Sequence, residues 1–143
     1  MRIRQLNHSV YQLSYHIVWG TKYRRKILKE YVRTALIKQL YAIQRQHPDW
    51  YFLRINTGAD HVHLLMEIPP KYSVSSVVQI IKALTSTGLR KQFKFIDRIY
   101  EKGHMWSPGY FVSSVGLNEE QIMKYIQLQN NYDLGRDVSG ELS

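Results

Sequence analysis

Two histidines stand two residues apart in Asp60-His61-Val62-His63-Leu64-Leu65-Met66-Glu67-Ile68, and Pro69-Pro70 close the segment. Alternation with Val62, Leu64, Met66 and Ile68 predicts a β-strand with one apolar face. Side chains at i and i+2 of a strand share a face, with Cα atoms about 6–7 Å apart. Two imidazoles so placed can converge on one divalent cation. They leave the site incomplete, so a third ligand must come from elsewhere, with water or substrate oxygens filling the rest. The competing reading is a pair of partly exposed surface histidines, because His-x-His also arises by chance. Asp60 either accepts a hydrogen bond from an imidazole or shapes the strand entry. Glu67 shares the histidine face but lies about 13 Å beyond His63, too far for the same ion.

A second candidate lies near the C-terminus. In Lys124-Tyr125-Ile126-Gln127-Leu128-Gln129 a helix would put Tyr125 and Gln129 on one face, at i and i+4. With eleven tyrosines in the chain, a core aromatic is the simpler reading of any one of them. Gln129 singles this one out, offering a carbonyl oxygen where a core helix would prefer Leu. A tyrosine can attack a phosphodiester and hold the broken end as a phosphotyrosine, keeping the bond energy for rejoining. Free tyrosine has a pKa of about 10 and is a weak nucleophile at neutral pH. A metal on the scissile phosphate compensates by stabilising developing charge.

These residues need elements to hold them. Residues 1–9 are polar and basic and read as an arm. Tyr11, Leu13, Tyr15, Ile17 and Trp19 alternate with polar residues, predicting a strand over 10–19. His16 falls opposite its apolar face, either near the histidine pair or facing solvent. Val32, Ala35, Leu36, Leu40 and Ile43 predict an amphipathic helix over 29–46, ended by His47-Pro48-Asp49. A strand over 50–57, with Tyr51, Leu53 and Ile55 alternating, leads through Gly58-Ala59-Asp60 into the histidine strand as a hairpin. Ser73 or Ser75 caps the next helix, whose buried stripe is Val74, Val77, Val78, Ile81 and Leu84. Gly88 weakens that helix, while Leu89, Phe93 and Ile96 argue that it continues. Residues 99–109 read as loop, Tyr110 to Val115 as a strand, and 119–131 as a helix capped by Asn118; 132–143 form a polar tail. The order β-α-β-β-α-β plus a C-terminal helix predicts a single α+β domain with a ferredoxin-like antiparallel sheet and helices on one face. His8, His47 and His104 have no predicted partner.

Composition narrows the partners. The 143 residues carry a net charge of +9, and the excess recurs along the chain as Arg2/Arg4, Lys22 to Lys26, Lys38/Arg45 and Arg90/Lys91 with Lys94 and Arg98. A spread of this kind favours a polyanion, most simply nucleic acid; solubility charge is the alternative. Without cysteine there is no disulfide framework and no zinc–thiolate site. No apolar run approaches about 18 residues, and the N-terminus lacks a signal-peptide core. The expectation is a soluble, cytoplasmic protein without a membrane partner.

Four segments together resemble the HUH single-tyrosine transposases (TnpA type) of the smallest insertion sequences, which move DNA as a single strand. They are His61-Val62-His63; Tyr15-His16-Ile17-Val18-Trp19 running into Lys22-Tyr23-Arg24-Arg25-Lys26; Met105-Trp106-Ser107-Pro108-Gly109-Tyr110 through Ser114-Val115-Gly116; and Tyr125-x-x-x-Gln129. The resemblance spans residues 8–131, in the family's order. It implies that His61, His63 and Gln129 bind Mg²⁺ or Mn²⁺. Tyr125 would attack DNA to form a 5′-phosphotyrosine and free a 3′-hydroxyl, and a second strand's 3′-hydroxyl would complete the transfer. It also implies recognition of hairpins at the element's ends, and a homodimer in which one subunit's tyrosine helix completes the other's histidine site. Lys22, Arg24, Arg25 and Lys26, with Lys82, Arg90 and Lys91, are candidates for phosphate contacts, each with a solvated basic face as its plain alternative.

Two other functions share these residues. One is a host-captured relative that nicks or binds hairpins; flanking DNA would distinguish it. The other is a non-catalytic nucleic-acid module in which first-strand aromatics stack bases. No RNA-recognition signature accompanies it, and the Tyr125/Gln129 helix would then have no task.

Overall fold

A computed structural model describes residues 4–6, 9–11, 13–101 and 103–114. The strands are β1 (Arg4–Leu6), β2 (Ser9–Tyr11), β3 (Ser14–Gly20), β4 (Tyr51–Thr57), β5 (His61–Glu67) and β6 (Phe111–Ser114); the helices are α1 (Glu30–Gln46), α2 (Val74–Gln92) and α3 (Lys94–Ile99). Two compact units share these residues: Ser14–Ser113, and a second that includes β1 and β2. In the second, β1, which lies in the stretch expected to be an arm, pairs antiparallel with β2, which begins at that stretch's last residue.

In the larger unit the sheet order is β4-β5-β3-β6. With α1 between β3 and β4, and α2 and α3 between β5 and β6, this is the ferredoxin-like α+β arrangement that the element order predicts. The expected C-terminal helix lies outside the described residues. Ile17 and Trp19 of β3 and Val62, Leu64 and Met66 of β5 are buried with the apolar stripes of both helices in one core. The stripe of α1 is the expected set, Val32, Ala35, Leu36, Leu40 and Ile43.

Several particulars depart from the periodicity. The strand expected over 10–19 is divided into β2 and β3. In β4 a register shift between Phe52 and Arg54 breaks the alternation. Phe52 pairs with Met66 and Ile55 with Leu64, so these two, rather than Tyr51 and Leu53, align with the core residues of β5. On α2, capped by Ser73 Oγ accepting from the Ser76 amide at 3.1 Å, Leu84 points outward, 45% exposed. Thr85 is buried in its place, accepting a hydrogen bond from Trp106 Nε1 at 3.1 Å. The helix runs through Gly88, where the Gln39 side chain of α1 comes close: a Cβ at this position would lie 2.7 Å from it. Extended backbone at Phe93 then separates α2 from α3. His47 stacks on Trp50 with ring centroids 3.8 Å apart.

Candidate functional site

Register decides which side chains share the histidine face. His63 pairs with Val18 on β3 and Asn56 on β4, and His61 pairs with Gly20. Strict alternation therefore puts His16, His61, His63 and Asn56 on the face opposite Val62 and Leu64. His61 and His63 are both half-buried, a pattern set by the strand's alternation rather than by any local insertion. His16 is a third imidazole that the spacing could not pair with certainty. Its Nδ1 lies 3.1 Å from His63 Nε2, with ring centroids 5.3 Å apart.

His61 is held from two sides. Its Nδ1 lies 3.0 Å from Asp60 Oδ1, and Arg24 Nε approaches Asp60 Oδ2 at 3.4 Å. The His61 hydrogen bond, ahead of the Arg24 charge, holds the Asp60 carboxyl below a carboxylate's usual 3.8. An ionised Asp60 can only accept, so Nδ1 of His61 is the donor, and in the neutral ring Nε2 would keep the lone pair that a metal ligand uses. Asp60 takes the first of its two sequence readings. Because the shift is downward, the stabilisation it reports is present at neutral pH and is lost as pH falls through the lowered value. Gly58 makes room for the ring: a Cβ there would sit 2.3 Å from His61 Cε1.

The hairpin tip is tied to the loop after β3. Thr21 N donates to Asp60 O at 2.9 Å, Leu28 N donates to Ala59 O at 2.9 Å, and Thr21 Oγ1 donates to Arg25 O at 2.7 Å. The segment expected to be plain loop before β6 closes the other side. Lys22 N donates to Met105 O, Ser107 N donates to Gly20 O, and Trp106 meets Trp19 edge-on at 5.8 Å.

The basic candidates part company here. Arg24 and Arg25 belong to the loop beside His61, and Lys26 is exposed in it. Lys82 is a tie within the fold, donating to Ser107 O at 2.8 Å and Gly109 O at 2.6 Å, and burial pushes its ammonium down. Arg90 donates to Gly103 O at 2.8 Å and faces Asp97 at 3.8 Å. Lys91 is exposed near the end of α2.

The donor set on the histidine face suits a divalent ion that also binds oxygen: two imidazoles on a rigid strand, one of them held at Nδ1 by Asp60. Among the described residues no three His, Cys, Asp or Glu side chains form a metal-binding group. A third protein ligand would have to be another donor type or lie elsewhere. Tyr125 and Gln129 are outside the described residues. No described helix is long and apolar enough to cross a membrane.

Known proteins resemble this chain over most of its length. The family described as "Transposase IS200 like" matches residues 9–129. The transposase for insertion sequence element IS200 of Salmonella typhimurium is 36% identical over 140 residues, covering 95% of this chain and 90% of the relative. The ISDra2 transposase TnpA of Deinococcus radiodurans is 34% identical over 126 residues, covering 85% and 87%. A crystal structure of a putative transposase from Deinococcus radiodurans superposes with a TM-score of 0.71 at 28% identity, covering 88% of this chain and 97% of that one. A REP-associated tyrosine transposase bound to a REP hairpin shares the fold at a TM-score of 0.51 and 15% identity, covering 92% and 74%.

Proposed function

This chain belongs to the IS200-like transposase family, and from that premise we propose that it cleaves and rejoins single-stranded DNA at insertion-sequence ends through a 5′-phosphotyrosine on Tyr125. The observation that carries the reading is the histidine face itself: His61 and His63 side by side on β5, with the His61 ring held at Nδ1 by Asp60. His61, His63 and Gln129 would hold Mg²⁺ or Mn²⁺. When bound, such an ion supplies polarisation of the phosphoryl oxygens and stabilises charge developing on them.

In the proposed step, the Tyr125 phenolic oxygen attacks the scissile phosphorus. The bond from phosphorus to the 3′-oxygen breaks, that oxygen leaves as a 3′-hydroxyl with a proton, and the 5′-phosphate stays on Tyr125. A 3′-hydroxyl of another strand then attacks the phosphotyrosine and releases Tyr125. The substrate is an end hairpin with its single-stranded flank, and the active form is a homodimer with sites completed between subunits. The +9 charge supports a DNA partner.

The test is a denaturing gel of protein incubated with single-stranded DNA carrying the element's end hairpin. Wild type with Mg²⁺ or Mn²⁺ is expected to give a covalent adduct that both Tyr125→Phe and a chelator remove. Retarded binding with no adduct in wild type would overturn the proposal for that substrate.

A further inference from the structure

The loop beside the histidine face presents one aromatic ring outward. Tyr23 sits in the single 3₁₀ turn Lys22–Arg24 and is 71% exposed, the most exposed large hydrophobic residue among those described. Tyr23 and Arg24 are consecutive non-glycine residues with positive φ, 61° and 54°. L side chains rarely adopt this backbone, and it persists only where surroundings hold it.

The surroundings do hold it. The Arg24 amide donates to Thr21 O at 2.9 Å, Tyr100 OH donates to Lys22 O at 2.8 Å, and Arg25 Nη1 donates to Ile99 O at 3.0 Å. Burial pushes the Tyr100 phenol up, which keeps it a donor. Two cations stand over the Tyr23 ring, Lys22 Nζ at 5.4 Å and the Arg25 guanidinium at 5.2 Å from the centroid, and most of the residue's surface is still open to solvent. The Arg25 guanidinium is equally close to the buried Tyr100 ring, at 5.2 Å, and so is anchored to the fold. The next residue, Arg24, reaches Asp60, which holds His61.

A rigidly displayed aromatic ring with flanking cations is the arrangement that binds unpaired bases: the ring stacks on the base and the cations take the phosphates. Duplex DNA buries its base faces except at its ends, and offers phosphates, sugars and groove edges instead. From this juxtaposition we infer that Tyr23 stacks on an unpaired base of the single-stranded DNA entering the histidine face, and so contributes to the choice of single strand over duplex. The inference rests on the single-stranded DNA substrate proposed above.

The experiment uses the full chain with an end-hairpin oligonucleotide carrying 2-aminopurine at successive positions of its unpaired flank, and a blunt duplex as control. Wild type is expected to quench one flank position. Tyr23→Phe keeps the affinity and the quench. Tyr23→Leu, which keeps bulk and backbone strain, is expected to lose the quench and to bind single strands about 5- to 150-fold more weakly, with duplex binding unchanged. Tyr23→Gly is expected to bind as weakly while melting no lower than wild type, since glycine accepts positive φ. An unchanged single-strand affinity and quench in both Leu and Gly variants would overturn the stacking role. So would a loss of binding that appears only with a lowered melting temperature. If wild type itself binds no single-stranded DNA, the substrate reading fails first, and that is visible before any variant is made.

Discussion

On the helix side of the β3–β5 pair, Ile17, Val62, Leu64 and Met66 have no exposed surface; on the other side His16, His61 and His63 are only half-buried and hydrogen-bonded to named partners. The two sets alternate residue by residue on the same two strands. On the first side what counts is volume, since close packing tolerates apolar exchange but not a cavity. On the second, what counts is which atom faces which: His61 Nδ1 to Asp60, His63 Nε2 to His16. One strand therefore carries two independent requirements, and substitutions on it should separate stability from chemistry.

The sharpest break is His63→Ala. It should abolish metal-dependent adduct formation, while removal of one half-buried hydrogen bond costs only about 0.5–1.5 kcal/mol in urea unfolding. Its neighbour Leu64→Ala should do the reverse, destabilising the fold by about 2–5 kcal/mol while the protein that remains folded still forms adduct. If the folded Leu64→Ala protein were inert, the division between the faces would fail. A smaller effect is expected from Asp60→Asn. The lost charge should weaken Mn²⁺ binding, read by calorimetry without DNA, by about 10- to 100-fold; unchanged affinity would leave Asp60 only its role at the strand entry. Smallest is Arg24→Gln. Its side chain is 66% exposed, so its pair with Asp60 should contribute little, read as a small shift in the unfolding midpoint that disappears at high salt.

Alternation alone places Val62, Leu64 and Met66 inward and the histidines outward, because a strand's period leaves no other choice. The same rule misplaces Leu53, since a bulge adds one residue to β4 and nothing in Tyr51-Phe52-Leu53-Arg54 announces it. Leu84 and Thr85 exchange roles for a similar reason. Composition favours burying the Leu, but Trp106, 21 residues away, needs an acceptor inside the core. The His16–His63 contact depends on strand register across 47 residues, which no local spacing encodes. Lys82 and Arg90 count as basic residues in the sequence, yet their donors meet backbone carbonyls of the segment before β6. Charge composition records that a cation exists, not which group it faces. The family resemblance reached Tyr125 and Gln129, as expectations that the adduct assay must decide.

Gly58 has a genetic consequence. The His61 ring occupies the space a side chain at 58 would take, down to 2.3 Å from the first carbon. The imidazole can swing where the backbone cannot, so Gly58→Ala should leave the fold intact and turn His61 away from Asp60. A single base change suffices to write alanine for glycine. A copy of the gene so altered would keep every histidine, the tyrosine and the glutamine, and would look active in any survey of its chemical groups. Loss of activity in this lineage can thus begin at a residue that has no side chain to lose.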